Sequence, residues 1–296
     1  MELTGGREIH TLIGAVVPMT RMAGRLENLE SWLHIAVENN IGIVIVHDIQ
    51  DEITSSEIHK LVKSLNSSLI RLIEGIYGSP GMSRNAGLQL LDAEYVYFWD
   101  SDDVPQILNL PKIESIFVKQ DYDIIIGDFE IANWDPINKK WLTHKSTRVV
   151  NDIEAFANEI GLWRCGIRKN SIQKNFTDLL MAEDQIFVAE NIRNWKVAFV
   201  PDLIYRYYKG DPLQLTKNKS AMDDLLIASR ISMSLLKKSE TRHNRFYTIL
   251  ILRQTISAVK HGKLMVKIRS FLQFIGMTPS LAGIYFKFKS NYWTLS

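Results

Sequence analysis

Three carboxylates crowd the end of a single apolar run. In the segment Glu94 to Pro105, β-branched and aromatic residues stop abruptly at Asp100, Asp102 and Asp103. Carboxylates this close repel one another unless a cation or solvent screens them. Hard divalent ions such as Mg2+ and Mn2+ take few protein carboxylates and complete their shells with water and phosphate oxygens. The chemistry on offer is therefore capture of a phosphorylated ligand through a cation. A solvated acidic turn capping the next helix would use the same residues.

A second group suits anions. Gly78, Gly81 and Gly87 punctuate a loop that opens a helical pattern, and such loops bring backbone N–H groups and a helix N-terminus to a phosphate. Arg84 adds a planar fork for phosphate or carboxylate. No Gly-Lys-Ser/Thr of a Walker loop is present, and the first apolar run ends in Val17-Pro18-Met19-Thr20 without a dinucleotide fingerprint.

The elements that must position these residues alternate in period. Leu12–Met19, Ile41–Asp48, Leu69–Glu74, Glu94–Asp100 and Asp123–Ile131 are short apolar runs that read as strands buried on both faces. Between them, Leu26–Asn39, Ser55–Leu65, Met82–Leu91 and Ile107–Val118 carry helical patterns. Alternation of this kind implies right-handed crossovers and a mostly parallel sheet with helices on both faces. In such sheets ligands bind beyond the carboxyl ends of strands, where the acidic cluster falls.

The second half loses that rhythm. A hairpin is predicted over Trp134–Trp141, with Pro136 and Asn138 in its turn, then helices over Asn151–Ile160 and Ala182–Asn194. Lys196–Tyr208 reads as extended and broken at Pro201-Asp202. After the polar stretch Lys209–Ser220 come helical patterns over Ala221–Lys238, Arg242–Lys260 and Lys263–Gly276. These place a boundary near residue 220, between a domain of residues 1–220 and a helical C-terminal region of residues 221–296.

The chain has 296 residues, 46% of them apolar, which suffices for a sizeable core. Its one cysteine, Cys165, excludes a disulfide framework and points to a reducing compartment. The N-terminus has no apolar h-region and no stretch reaches the roughly 20 apolar residues of a membrane span. A net charge of +2 hides an asymmetry. Residues 221–296 hold twelve Lys/Arg against three Asp/Glu, net +9, and the remainder holds 23 against 30, net −7. The Lys263–Gly276 pattern and the aromatic–lysine run Ile284–Trp293 suit an anionic membrane surface. They also suit an extension whose apolar side packs on the rest of the protein, with its lysines solvated, and both can hold in part. No nucleic-acid-binding signature accompanies the charge.

Taken in order, five motifs resemble inverting glycosyltransferases of family 2, of the bacterial envelope polysaccharide type. They are Val17-Pro18-Met19-Thr20-Arg21; the strand end His47-Asp48 with Asp51-Glu52 beyond it; Ser83-Arg84-Asn85-Ala86-Gly87; Trp99-Asp100-Ser101-Asp102-Asp103; and Ala182-Glu183-Asp184. The resemblance spans roughly residues 11–216. It implies a GT-A fold, Rossmann-like, with a helical C-terminal extension. It further implies transfer of a sugar from a nucleotide donor, UDP favoured, to a glycan or lipid-linked glycan, with Mn2+ or Mg2+. The location implied is cytoplasmic, peripheral on the inner face of the membrane.

Roles follow by position. Pro18, Thr20, Asp48, Arg84, Asp100 and Ser101 would form the nucleotide site, with Asp48 accepting from the nucleobase edge and Arg84 steadying the phosphates or the acidic cluster. Asp102 would hold the metal, and Asp100 would face ribose or a metal-bound water. Asp103 would ligate or orient its neighbours. Asp184 would be the catalytic base, with Glu183 orienting it. On the acceptor side, Trp163 could stack on a sugar or belong to the core. Lys209 or Arg206 could meet phosphate or lie in a solvated loop. His47 stands where the family has an acid, which leaves the nucleobase open. Two other readings remain. A sugar nucleotidyltransferase would need a glycine-rich loop after the first strand, and an inactive glycan-binding scaffold would be expected to lack Asp102 or Asp184.

Overall fold

The computed structural model describes residues 10–20, 22, 24–49, 52–135, 140–145, 152–209, 221–239 and 243–275. Arg21, Asp51, the hairpin turn residues Pro136 and Asn138, the expected boundary near residue 220 and the run Ile284–Trp293 lie outside the described residues. The chain divides into two compact units that interleave in sequence. The first comprises Met1–Ser146, Leu162–Asp178 and Trp195–Lys209; the second comprises Thr147–Gly161, Leu179–Asn194 and Gly210–Ser296.

The first unit is built on a mixed sheet. Its strands are β1 (His10–Met19), β2 (Gly42–Asp48), β3 (Ile70–Gly75), β4 (Asp92–Phe98), β5 (Val104–Pro105), β6 (Ile124–Asp135), β7 (Lys140–Lys145), β8 (Cys165–Arg168) and β9 (Val197–Lys209). They lie in the order β3-β2-β1-β4-β8-β6-β9-β5, with β7 on β6. The first four are mutually parallel, connected by α1 (Glu27–Glu38), α2 (Glu52–Leu65) and α3 (Pro80–Leu90), and α4 (Leu110–Lys119) follows β5. Every residue of β2 is buried, which explains its unbroken apolar run.

Helices cover both faces of this sheet. Ile13, Ala15, Val17, Ile43 and Ile45 pack with Leu29, Trp32 and Leu33 of α1, Ile58 of α2, and Ile113 and Phe117 of α4. The alternate residues Val16 and Val46 meet α3, where a Cβ on Gly87 would lie 2.4 Å from Val16 Cγ1 and 2.9 Å from Val46 Cγ2. Only glycine admits that approach, so Gly87 sets how closely α3, and with it Arg84, can seat on the strands.

Several boundaries differ from the sequence reading. β4 ends at Phe98, so Trp99 and Asp100 already belong to the turn. Ile107–Asn109 forms a 3-10 turn before α4, whose first turn carries Pro111. The short strands β5 and β8 have no signature in the sequence, since two and four residues carry no readable period. β8 inserts antiparallel between β4 and β6. The expected hairpin is present, with Trp134 opposite Trp141 and Asp135 opposite Lys140. β9 continues through Pro201-Asp202 by shifting its register on β6 near Asp128, as a residue without an N–H requires.

The second unit is helical, comprising α5 (Ile153–Asn158), α6 (Glu183–Asn191), α7 (Asp224–Lys237), α8 (Asn244–His261) and α9 (Leu264–Ile275). Asp152 caps α5, its Oδ1 accepting from Ala155 N–H at 2.7 Å. Leu179, Ala182 and Ile186 pack with Leu225 and Ala228 of α7 and Ala258 of α8. Phe246–Leu252 of α8 is buried throughout. Polar ties lock α6 onto this frame: Tyr247 Oη donates to Ala189 O at 2.8 Å, and Gln254 Nε2 donates to Gln185 Oε1 at 3.1 Å.

Candidate active site

The acidic turn 100–103 is pinned from several directions. Asn28 Nδ2 and Trp32 Nε1 of α1 donate to the carbonyls of Asp102 and Asp103, at 2.8 and 3.1 Å. The Asp100 N–H donates to Tyr205 Oη at 3.0 Å. Arg84, buried on α3, donates from Nη2 to Asp100 Oδ1 at 2.9 Å, and its guanidinium lies over the Phe176 ring. The loop before α3 closes with Ser79 as cap, its Oγ accepting from Met82 N–H. Gly78 there adopts φ 77°, a left-handed turn suited to glycine.

The three aspartates have different surroundings. Asp103 is 1% exposed, and its Oδ1 accepts from the Tyr208 N–H of β9 at 2.7 Å. Burial above all, then the Asp102 and Asp100 charges, holds its carboxyl well above the usual range, although Tyr208 and Tyr205 oppose this. Asp100 is ion-paired with Arg84. Asp102 is partly exposed, and Ser101 is buried. Burial first, then the same three aspartates, raises the Tyr205 hydroxyl far above its ordinary value.

At the neighbouring strand ends, Thr20 follows β1, and its Oγ1 is buried with no hydrogen-bond partner among the described residues. Pro18 pairs with Val46 and Met19 with His47 across β1 and β2. Asp48 is buried, accepting from the N–H groups of Tyr77 and Gly78 at 2.9 and 3.2 Å. Both of its oxygens therefore hold the loop that leads into α3. His47 turns instead toward Glu74, Nδ1 to Oε1 at 2.9 Å, and His59 of α2 meets the other oxygen of Glu74 at 2.8 Å. Burial raises the Glu74 carboxyl, but the hydrogen bonds from His47, His59 and Ser55 outweigh it and hold the group below its usual value.

On the β9 side, Trp163 stacks on Tyr205 and Tyr207, at centroid distances of 4.6 and 5.5 Å, with Phe129 edge-on at 4.8 Å. Trp163 thus belongs to the aromatic packing around Tyr205, whose hydroxyl meets the Asp100 N–H, an arrangement unreadable from its position in sequence. Arg206 pairs with Glu130, and Lys209 ends β9 exposed, opposite Asn133. The structure also brings together Trp134, Trp141 and Tyr208, with ring centroids 5.3 and 4.8 Å apart. Strand register creates that cluster, and only the hairpin half of it was legible beforehand.

Glu183 and Asp184 lie in the second unit, in the first turn of α6. Ala182 before them adopts φ 68°, a left-handed conformation costing an L-residue roughly 1–2 kcal/mol. Glu183 is buried and Asp184 partly exposed, with Asp184 Oδ1 accepting from Gln185 N–H at 2.7 Å. Acidic residues are favoured in a first helical turn by the helix dipole.

Among the described residues no group of three or more His, Cys, Asp or Glu converges to hold a metal. The donor set suits a different arrangement, in which one partly exposed carboxylate shares a hard cation with diphosphate oxygens and water.

The sequence model of glycosyl transferase family 2 matches residues 24–179, more than half of the chain. The chain belongs to glycosyl transferase family 2. It is a glycosyltransferase that uses a nucleotide sugar, and the family segment includes Asp48, Arg84 and the whole turn 100–103. No curated protein matched the chain. Among solved structures, S. aureus TarS residues 1–349 in complex with UDP-GlcNAc superposes with a TM-score of 0.68 at 17% identity, covering 93% of this chain and 84% of that one. The mannosyltransferase PcManGT from Pyrobaculum calidifontis, in complex with GDP-Man and Mn2+, gives 0.56 at 10% identity, covering 93% and 83%. These likenesses show the GT-A fold for this glycosyltransferase, with its helical C-terminal region.

Proposed function

We propose that this glycosyltransferase moves the sugar of a UDP-sugar to a hydroxyl of a glycan or lipid-linked glycan, with inversion, in bacterial surface polysaccharide synthesis. The turn 100–103 carries the reading: it presents Asp102 partly exposed at the end of a central strand, while Arg84 and β9 engage Asp100 and Asp103. The UDP-GlcNAc in the TarS structure supports uridine, and the Mn2+ in PcManGT supports a divalent ion.

Asp102 would hold Mn2+ or Mg2+, and such an ion, when bound, offsets charge on a leaving diphosphate. Arg84 holds Asp100 through their ion pair and orients it toward the ribose side. Thr20, whose buried hydroxyl has no partner among the described residues, and Pro18 frame the base beside the loop that Asp48 holds, and Ser101 shapes the turn. Asp103 acts as a strap to β9 rather than as a ligand. Asp184 accepts the proton of the acceptor hydroxyl, whose oxygen bonds to the anomeric carbon as the bond to the diphosphate oxygen breaks. Glu183, buried beside it, orients that turn. Trp163 supports the acceptor side through Tyr205 and Tyr207, and Lys209 at the end of β9 faces the acceptor's charge. The enzyme works at the inner face of the cytoplasmic membrane.

The test is a panel of nucleotide sugars incubated with the protein and Mn2+ or Mg2+, read as slow release of nucleoside diphosphate. Release of UDP that stops with EDTA is expected. Turnover of GDP-sugars alone would overturn the donor assignment, and no release from any donor would overturn the transfer reading.

A further inference from the structure

We propose that α9 lies in the plane of an anionic lipid bilayer, with its apolar stripe toward the acyl chains. This deepens the peripheral placement given above and is independent of the transfer chemistry. The polarity of α9 is inverted for a surface helix, which ordinarily turns its apolar face to the core. The side of α9 that meets the rest of its unit is largely polar. Ser270 is fully buried, and Gln273 Nε2 donates to Ser229 Oγ at 2.9 Å and Thr255 Oγ1 at 3.2 Å. Lys263, just before the helix, donates its N–H to Asp223 Oδ1 at 3.0 Å. Val266 is the apolar member of that side, packed against the Ala258 cluster.

The outward side is apolar. Leu264, Met265, Ile268, Phe271 and Leu272 are 46–73% exposed. At 3.6 residues per turn they occupy one unbroken arc of about 120°, with Lys267 about 40° beyond one edge and Arg269 about 40° beyond the other. Cations on both rims can bury their stems and keep their heads at the level of lipid phosphates. Between Gly262 and Ile275 there is no acidic residue. A second copy seated on this stripe would therefore set cations against cations, whereas anionic lipid complements both the stripe and its rims. Twelve residues are too few to span a bilayer, which needs about 20, and no described helix is long and apolar enough to cross one. A helix of this length and polarity lies on the surface.

The experiment uses the full chain and extruded vesicles, either phosphatidylcholine alone or phosphatidylcholine with phosphatidylglycerol, read by co-sedimentation. Wild type is expected to bind the anionic vesicles and to be released by salt. Phe271→Ser with Leu272→Gln, two exposed positions whose change leaves the packed side intact, should weaken binding at least tenfold. Lys267→Glu with Arg269→Glu should abolish the preference for anionic lipid. UDP release in the absence of vesicles should stay unchanged in all three, which separates this inference from the transfer reading. The proposal is overturned by equal vesicle binding of wild type and the Phe271/Leu272 variant, or by no binding at all. It is also overturned by a wild-type dimer in sedimentation velocity that this variant dissociates, or by binding that appears only after deletion of residues 277–296.

Discussion

Substituting Asp103 by asparagine or alanine, beside the same changes at Asp102, separates a strap from a ligand. Asp103 touches β9 through one oxygen, which accepts the Tyr208 N–H at 2.7 Å, and the residue is 1% exposed. Asparagine keeps that acceptor and removes a buried carboxyl crowded by Asp100 and Asp102, so Asp103→Asn should change stability by no more than about 1 kcal/mol. Alanine takes the acceptor away from the partly buried Tyr208 N–H, a cost of about 1 kcal/mol and up to 3 where water cannot reach the group. For a chain of this size that lowers Tm by roughly 2–4 °C per kcal/mol. Asp102, by contrast, is partly exposed, so Asp102→Asn should leave Tm almost unchanged. Its effect should fall on the metal, raising the Mn2+ concentration for half-maximal UDP release more than tenfold, against less than threefold for Asp103→Asn. Differential scanning fluorimetry and a Mn2+ titration of UDP release measure both quantities. Equal loss of Mn2+ affinity in Asp102→Asn and Asp103→Asn would refute the division of roles.

Further outcomes are expected elsewhere in the molecule. Asp184→Asn should lower kcat for transfer by 100-fold or more with little change in Tm; retention of more than a tenth of wild-type kcat would remove Asp184 as the base. Gly87→Ala places a Cβ 2.4 Å from Val16 Cγ1, and overpacking of this kind costs about 1–3 kcal/mol; an unchanged denaturation midpoint would contradict the packing argument. Glu74 has its pKa lowered in the fold, so its contribution is fully present above its unfolded value and is lost as pH falls through the folded one. The Tm advantage of wild type over Glu74→Gln should accordingly be full at pH 6 and shrink below about pH 4.5. A difference independent of pH would show that the carboxylate charge is not what His47 and His59 hold.

The amino-acid sequence alone placed the acidic turn at the end of a strand, because an apolar run and its abrupt stop are local properties. It also located the glycine-punctuated start of α3, the first turn of α6 and the parallel β–α alternation. The motif order was sufficient for the family. β5 and β8 are not legible in the sequence because two and four residues have no period to read, and their pairing is supplied by distant strands.

Tertiary structure decided what surrounds each carboxylate. Asp102 and Asp103 are chemically identical neighbours; in the fold Asp103 is buried with its carboxylate on the N–H of Tyr208, more than a hundred residues later in the chain, and Asp102 stays partly exposed. Asp48 was legible as an acid at a strand end, but its engagement with Tyr77 and Gly78 depends on how the β3–α3 loop returns. The packing of Trp163 against Tyr205 and Tyr207 could not be read from its sequence neighbours, because both tyrosines lie some forty residues away. The amphipathic period of α9 was visible in its residues, whereas the side that packs was not. Periodicity fixes the angle between two faces of a helix, and only contact with neighbouring elements chooses which face turns inward.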